Sequence, residues 1–599
     1  MKIPGEDSRK IGQLRRTQLI TSFGPGSLVD MPDYSVIIAD GSMWEFDKHV
    51  LHEDRLERLL DVKCFREPLA SDDPHTGKDV IKSFRFPEWH YCPSCHRLAP
   101  VWALEGKRKG YCHHCKENNR LVPSTFIIAC ENGHIEDFPY RWWVHRDTEK
   151  ECDGRAFEIA FDQAKGGLEG IIIKCKECGA QRSMAGSIGA DALKGFKCHG
   201  RRPWLGRHKD DPRECDMQVR TLQKGSSSVY FPITIGALTI PAFDLGPLTD
   251  CANNNWDATS AIWQIIDDAS KLSYCENLLA KEGLSDQYAP SALVKEFDQC
   301  AAGINITEKS LVTEKSLVED EYAALTSCDK YERAFKTIHV GPPPSLSDYL
   351  DDVVLVKRLR EVMALRGFRR ITPEPAEIPG ETEEQYEKRA SLSFTPSTTS
   401  DDWLPAMELL GEGFFITLNT DAVDEWVARV GNRYDSMEKH LKQSGIKCPS
   451  FSPRYVLLHT LSHLLIRQLT FDCGYSSASI REKIYASKPE DDRNMAGILL
   501  YTSSPDSDGS LGGLVRQGRP NNLQLTFENM LNAASWCSSD PICSKSKDQG
   551  YDALNYAACH ACTLLPETSC TMRNSLLDRV SVVGEHENPE LGFFGAWFE

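Results

Sequence analysis

The sequence predicts a multidomain α/β (α+β) fold with small cysteine-rich modules set into it, and three observations lead there. At 599 residues the chain exceeds what one hydrophobic core supports, since such cores stop growing at roughly 250–300 residues. Its 41% hydrophobic and 26% charged residues are those of an ordinary globular protein. Its 22 cysteines bunch between residues 91 and 225 and again near the end, many of them in C-x-x-C pairs.

Residues 1–90 alternate short strand-like runs ("YSVIIAD", "DVIKSFRFPEW") with turn residues and read as a β-rich segment. Residues 91–225 are dense in Cys, His, Gly and Arg. Short apolar runs such as "TFIIAC" and "GIIIKC" suit small zinc-ribbon-like modules there. Residues 226–402 open on the extended "SSSVYFPITIGALTIPAF" and then read as helical. In "LDDVVLVKRLREVMALRGF" the apolar spacing is close to helical, with Gly367 as its stop. The stretch 376–402 is polar and rich in Pro, Ser and Thr, as an exposed linker would be. From 403 to 599 strands ("GFFITLN", "AGILLYT") alternate with helices ("PRYVLLHTLSHLLIRQL", "TFENMLNAASW"). That alternation predicts a C-terminal α/β domain with a Cys-rich zinc tail.

No run reaches the 18 or so apolar residues of a membrane span, and the start, "MKIPGEDSRKIGQLRRTQLI", lacks the apolar stretch of a secretory leader. A cytoplasmic location with no membrane partner is expected. In a reducing compartment paired cysteines favour metal thiolates over disulfides. Lone cysteines such as Cys251 and Cys275 read as small buried hydrophobes. The net charge of −18 is uneven: residues 1–230 hold 36 Lys and Arg against 34 Asp and Glu, the rest 33 against 53. An anionic partner would therefore meet the N-terminal part or a local basic patch.

Cys92, Cys95, Cys112 and Cys115 form C-x2-C-x16-C-x2-C, the spacing of a zinc ribbon. Four thiolates close a tetrahedral shell and leave no position for water, so the ion is structural. His96, His113 and His114 flank these knuckles and are not needed as ligands. Cys175, Cys178, Cys198 and Cys215 make a second set, with Gly179 after the first pair where positive φ is often required. The tail offers Cys537, Cys543, Cys559, Cys562 and Cys570, five thiols for four places. Cys559 and Cys562 are the firmest members and Cys570 the next, while Cys537 and Cys543 compete for the last place. Three zinc sites are thus expected. Cys130, His134, His145 and Cys152 could make a fourth; the alternative there is an "NGH" turn followed by an aromatic core strip.

No G-x-x-x-x-G-K-[ST] phosphate cradle and no H-E-x-x-H occurs. "HTLSH" places His459 and His463 four apart on one helical face, but Thr460 stands where a metalloprotease has its base. The surrounding helix is apolar almost all round, which predicts hydrogen-bonded core histidines. Asp506 and Asp508 in "YTSSPDSDGSLGG" read as turn residues. Residues 171–230 carry 12 Lys and Arg against 6 Asp and Glu. Within them Arg201, Arg202, Arg207 and Lys209 surround Trp204, and "EGKRKG" adds Lys107, Arg108 and Lys109 between the first two knuckles. Cations beside an aromatic suit a phosphate backbone with a stacked base; the plainer reading is a solvated charged face.

Several segments together resemble one family: "RRTQLITSFGPGSLVDMPDYSVIIAD", "CENGHIEDFPYRWWVH", "RLREVMALRGFRRITP", "LLHTLSHLLIRQLTFDCGYSSASIREKIY", "GILLYTSSPDSDGSLGGLV" and "AACHACTLLPETSC". The chain is similar, in pieces scattered over nearly its whole length, to the DrmB subunits of bacterial DISARM anti-phage systems. Its C-terminal part resembles the zinc-binding domain of MrfA-type DNA-repair helicases, where a cysteine cluster near the end holds zinc. Cys559, Cys562 and Cys570 occupy the corresponding motif. The resemblance implies an antiviral-defence subunit without enzymatic activity, whose motor, the helicase-like ATPase DrmA, acts in trans as its partner. It also implies a complex that binds DNA, single-stranded or with a 5′ overhang. The rival expectation is a metal-dependent nuclease using His459, His463, Asp506 or Asp508.

Overall fold

Two long antiparallel strands, Leu350–Arg369 and Trp403–Leu418, form the spine of the molecule. The computed structural model describes residues 11–598 except 45, 69–80, 116–118, 149–151, 153, 207–214, 241–250, 253–254, 257–258, 261, 264, 282–288, 302–311, 328–329, 332–333, 373–402, 445, 447, 490, 492, 505–511 and 567–568. The polar stretch 376–402, Arg207, Lys209, Asp506 and Asp508 lie outside the described residues.

Among the described residues the spine belongs to a sheet of nine strands. Ala496–Ser504 and Ile480–Ala486 follow Trp403–Leu418 on one side, and Lys336–His339 and Phe231–Leu238 pair the other edge of Leu350–Arg369. Among the described residues its strands pair antiparallel throughout, except where Cys64–Pro68 runs parallel to the start of Trp403–Leu418. The mixture of helix and sheet expected from the sequence is present, on the α+β side.

Residues 350–369 correct a sequence expectation: they form a 20-residue strand, not a helix. Both faces of this strand are covered, so the in–out alternation of a half-exposed strand is lost. A register shift between Val356 and Leu359 inserts an extra residue, leaving the buried Val356, Leu359 and Val362 three apart, as in a helix. Gly367, read as a helix stop, sits in the ladder opposite Ile233. The β-branched run Val353–Val354 and pairing on both edges decide the outcome.

Against the C-terminal face of the sheet packs helix Pro453–Cys473. The Ser452 hydroxyl caps its start by accepting from the Tyr455 N–H, and Gly474, at φ 69°, ends it. Residues 454–466 are buried all round the helix, which runs through the largest core beneath Ile480, Ile498 and Leu500 and beside Phe527 and Leu531 of helix Pro520–Ala534. No described helix is long and apolar enough to cross a membrane.

Among the described residues the cysteine-rich region builds three smaller sheets, the least of them the pair Lys197–Cys198 and Cys215–Gln218. A six-stranded one runs Gln181–Ser183, Ile171–Cys175, Phe157–Phe161, Arg97–Pro100, Trp89–Tyr91, Val122–Pro123. A three-stranded one runs Ile135–Asp137, Phe126–Ala129, Arg220–Gln223. Asp137 joins these last two: its carboxylate accepts the backbone N–H groups of Trp89 at 2.9 Å and Glu88 at 3.1 Å. Cys251 and Cys275 lie buried in a separate helical cluster with Trp263 and Phe297.

Candidate metal centres

The hairpin Trp89–Tyr91/Arg97–Pro100 carries Cys92 and Cys95 in its turn, and a second turn brings Cys112 and Cys115 against them. Cys92 Sγ lies 3.3 Å from Cys115 Sγ, and Cys95 Sγ 3.8 Å from Cys112 Sγ. Tetrahedral zinc with Zn–S bonds of about 2.3 Å sets sulfurs about 3.8 Å apart, whereas a disulfide needs about 2.05 Å. The donor set therefore fits a metal. His113 Nδ1 bonds the Leu104 carbonyl at 2.8 Å and His114 Nε2 the Ala103 carbonyl at 3.2 Å, so both rings serve the backbone. Burial raises the Cys92 thiol, but the backbone N–H groups of Cys95 and Ser94 and the Cys115 thiol outweigh it, leaving Cys92 at about 7.

The next eight ligand candidates are the expected residues in a different grouping. The structure brings Cys130 and His134 to Cys198 and Cys215, and brings His145 and Cys152 to Cys175 and Cys178. The sets Cys175–Cys178–Cys198–Cys215 and Cys130–His134–His145–Cys152, read from chain order, are thus corrected. The reason is topological. Cys130 directly follows the strand Phe126–Ala129 of the three-stranded sheet, beside the strands that pair Cys198 with Cys215. Cys175 ends a strand of the six-stranded sheet, facing the end of helix Tyr140–His145. One group is nested in sequence inside the other.

In the outer group Cys130 Sγ stands 3.7 Å from Cys198 Sγ, 3.9 Å from Cys215 Sγ and 3.4 Å from His134 Nδ1. Gly133, at φ 79°, makes the turn that folds His134 back over Cys130. The Cys130 thiol beside it, against the effect of burial, holds Cys198 down to about 4. In the inner group His145 Nε2 is 3.3 Å from Cys178 Sγ and Cys152 Sγ 3.9 Å from Cys175 Sγ. His145 Nδ1 donates to the Arg141 carbonyl at 2.8 Å, which leaves Nε2 as the donor atom for a metal. Gly179 has the expected positive φ, 77°.

In the tail, Cys537 and Cys543 both take places, with Cys559 and Cys562. The Sγ separations are 3.6 Å for Cys537–Cys559 and 3.7 Å for both Cys543–Cys562 and Cys559–Cys562. Cys570, expected here, lies elsewhere. It is buried against His459, with His459 Nε2 3.2 Å from Cys570 Sγ. The same Nε2 is 3.1 Å from Glu482 Oε1, and His463 Nε2 is 3.4 Å from that oxygen. His459, His463 and Glu482 are wholly buried, so no nucleic-acid phosphate reaches these imidazoles and the nuclease expectation finds no open site there. Glu482 was missed in the sequence, hidden in the charged run "REK"; its signal was strand alternation with the buried Ile480.

The basic residues separate likewise. Lys107, Arg108 and Lys109 are exposed on the loop between the knuckles of the first centre. Arg108 lies 3.5 Å over the Tyr111 ring, and Lys109 pairs with Glu105 at 3.2 Å. Arg201 is exposed and Arg202 half-buried. Trp204 is a correction: it is 4% exposed, packed edge-on against Phe368 and beside Arg370, and offers no face to a base.

Four cysteine-rich donor sets among the described residues, on a mixed α and β scaffold, define a cysteine-rich, metal-binding class of protein. Comparison with known proteins agrees: residues 461–563 match the MrfA Zn-binding domain, a span that holds all four tail cysteines and excludes Cys570. Residues 15–231 match a domain of unknown function, DUF8724, which encloses the other three sets. Over 598 residues the chain is 30% identical to the DISARM protein DrmB of Bacillus paralicheniformis, covering 94% of this chain and 99% of that one. The chain belongs to the DrmB family of DISARM defence proteins.

Proposed function

We propose that this chain is a non-catalytic, zinc-stabilised subunit of a cytoplasmic DISARM complex that docks on the helicase-like ATPase DrmA and helps hold DNA. The substrate class is single-stranded DNA or DNA with a 5′ overhang. The observation that carries the reading is that each cysteine-rich set offers four donor atoms and so leaves no coordination position for a substrate or an activated water. The metals then serve as scaffold, and for small modules zinc-binding energy is folding energy, roughly 10–16 kcal/mol in zinc-finger peptides. Full-length likeness to a DISARM protein supports the assignment to the system.

The exposed Lys107–Arg108–Lys109 loop and Arg201 supply the DNA contact, through phosphates and with Tyr111 holding Arg108 in place. The test uses the full chain, alone and with the partner. Alone it should hydrolyse no ATP and cut no DNA with any divalent metal. With the partner, reversing Lys107, Arg108, Lys109 and Arg201 to Glu should weaken single-strand binding. The slope of log affinity against log salt should flatten by about 0.7 for each phosphate no longer neutralised. Unchanged affinity and slope would remove the DNA contact from the reading, and ATP hydrolysis by the isolated chain would overturn it.

A further inference from the structure

We propose that His459, His463, Glu482 and Cys570 form a fifth metal centre inside the C-terminal core. It is a closed site of two imidazoles, one carboxylate and one thiolate for a divalent transition metal such as zinc. The proposal is independent of DNA or partner binding.

Donor atoms of the four side chains lie within 4.8 Å of one another. Tetrahedral zinc sets N···O and N···S separations at about 3.4 to 3.6 Å, close to the 3.1, 3.2 and 3.4 Å measured here. Two observations point to an ion rather than to a hydrogen-bond network. The first is His463: its Nδ1 donates to the Thr563 carbonyl at 3.1 Å, which leaves Nε2 a bare lone pair. That nitrogen is fully buried, faces Glu482, and makes no hydrogen bond among the described residues. A buried nitrogen without a partner is costly, and a metal is what a histidine oriented in this way commonly binds.

The second is charge. A carboxylate and a thiolate with two neutral imidazoles sum to −2, which a divalent cation cancels in a core that water does not reach. Without the ion, His459 Nε2 lies within hydrogen-bond distance of both Glu482 and Cys570 and satisfies the two together only where the thiol keeps its own proton. Ser462 donates its hydroxyl to the other Glu482 oxygen, an outer contact that orients the carboxylate.

The donors come from three elements: the helix Pro453–Cys473, the strand Ile480–Ala486 and the tail segment at Cys570. The site therefore rivets the tail to the sheet. Thr563, which orients His463, directly follows the tail ligand Cys562. With four buried protein ligands, the ion is structural.

The deciding experiment is anomalous diffraction at the zinc edge from crystals of the full-length wild-type protein grown with Zn2+ as the only added metal. A peak among these four donors, alongside peaks at the cysteine-rich centres, is expected; a resident iron or cobalt, found by scanning its own edge, sustains the site as well. Occupied cysteine-rich centres with no peak here would overturn it. In solution, Glu482→Gln and Cys570→Ser should each lower metal content by one ion per folded chain while the tail thiolates keep theirs. Folded variants that retain full content would also overturn it.

Discussion

Arg370 Nε donates to the Gly133 carbonyl at 2.9 Å, joining positions 237 residues apart. Its other nitrogens reach the carbonyls of Val229 at 2.5 Å and Gly26 at 2.7 Å. The guanidinium is wholly buried, and burial lowers it to about 9. Gly133 makes the turn between Cys130 and His134, so one side chain ties the end of the spine strand to a metal knuckle and to the N-terminal segment. Arg370→Met should cost about 3–5 kcal/mol of stability by leaving three carbonyls without a donor. Urea unfolding measures this. Arg370→Lys should recover little, because one ammonium cannot span the three acceptors.

The regrouped ligands separate by pairs. Cys198→Ser with Cys215→Ser should remove one metal per chain, since both belong to one centre. Cys175→Ser with Cys198→Ser should remove two. Elemental analysis of the folded proteins reads the difference, and equal losses from both pairs would restore the grouping by chain order.

His90 sets an acid limit. It is buried on the strand Trp89–Tyr91, its Nδ1 bonded to the Glu88 carbonyl, and burial lowers it from its ordinary 6.5 to about 4. The unfolded chain takes up a proton below 6.5 that the folded one refuses until about 4. Stability is therefore complete above pH 6.5 and falls as pH drops toward 4, by up to about 3 kcal/mol. His90→Gln should flatten this slope in denaturation measured at pH 7, 6 and 5, relative to wild type.

Trp204 belongs to the core, so Trp204→Ala should act on stability and not on DNA. A loss of about 3–5 kcal/mol is expected from the cavity left against Phe368 and Ile37. The folded fraction should bind single-stranded DNA as wild type does in a titration at fixed salt. A selective loss of affinity would return the ring to the binding surface.

The ligands were legible because C-x-x-C spacing encodes a local turn. That holds for Cys92, Cys95, Cys112, Cys115, Cys175, Cys178, Cys559 and Cys562, whereas Cys130 and Cys152 lack such a neighbour and stood open against a core reading, and Cys537 and Cys543 competed for one place. The partnership of the ligands was not legible, because it depends on which strand ends meet, a long-range matter that local spacing does not carry. Cys570 was drawn to the tail by its closeness to Cys562, whereas the chain turns it toward His459. Trp204 stood among arginines and read as surface, yet the spine strand's Phe368 covers it. The helix Pro453–Cys473 was plain from its unbroken apolar character, while the strand Leu350–Arg369 was disguised by burial on both faces and by its bulge.

The nesting of one donor set within the other has a consequence for biogenesis. The enclosed quartet is complete once Cys178 has left the ribosome, whereas its enclosing counterpart waits for Cys215. An early clasp at Cys152, Cys175, Cys178 and His145 removes about half of the free chain between His134 and Cys198, easing the later ring closure by about 0.6 kcal/mol. Translation and polymer entropy thus favour the same sequence of ion capture, from the innermost bracket outward.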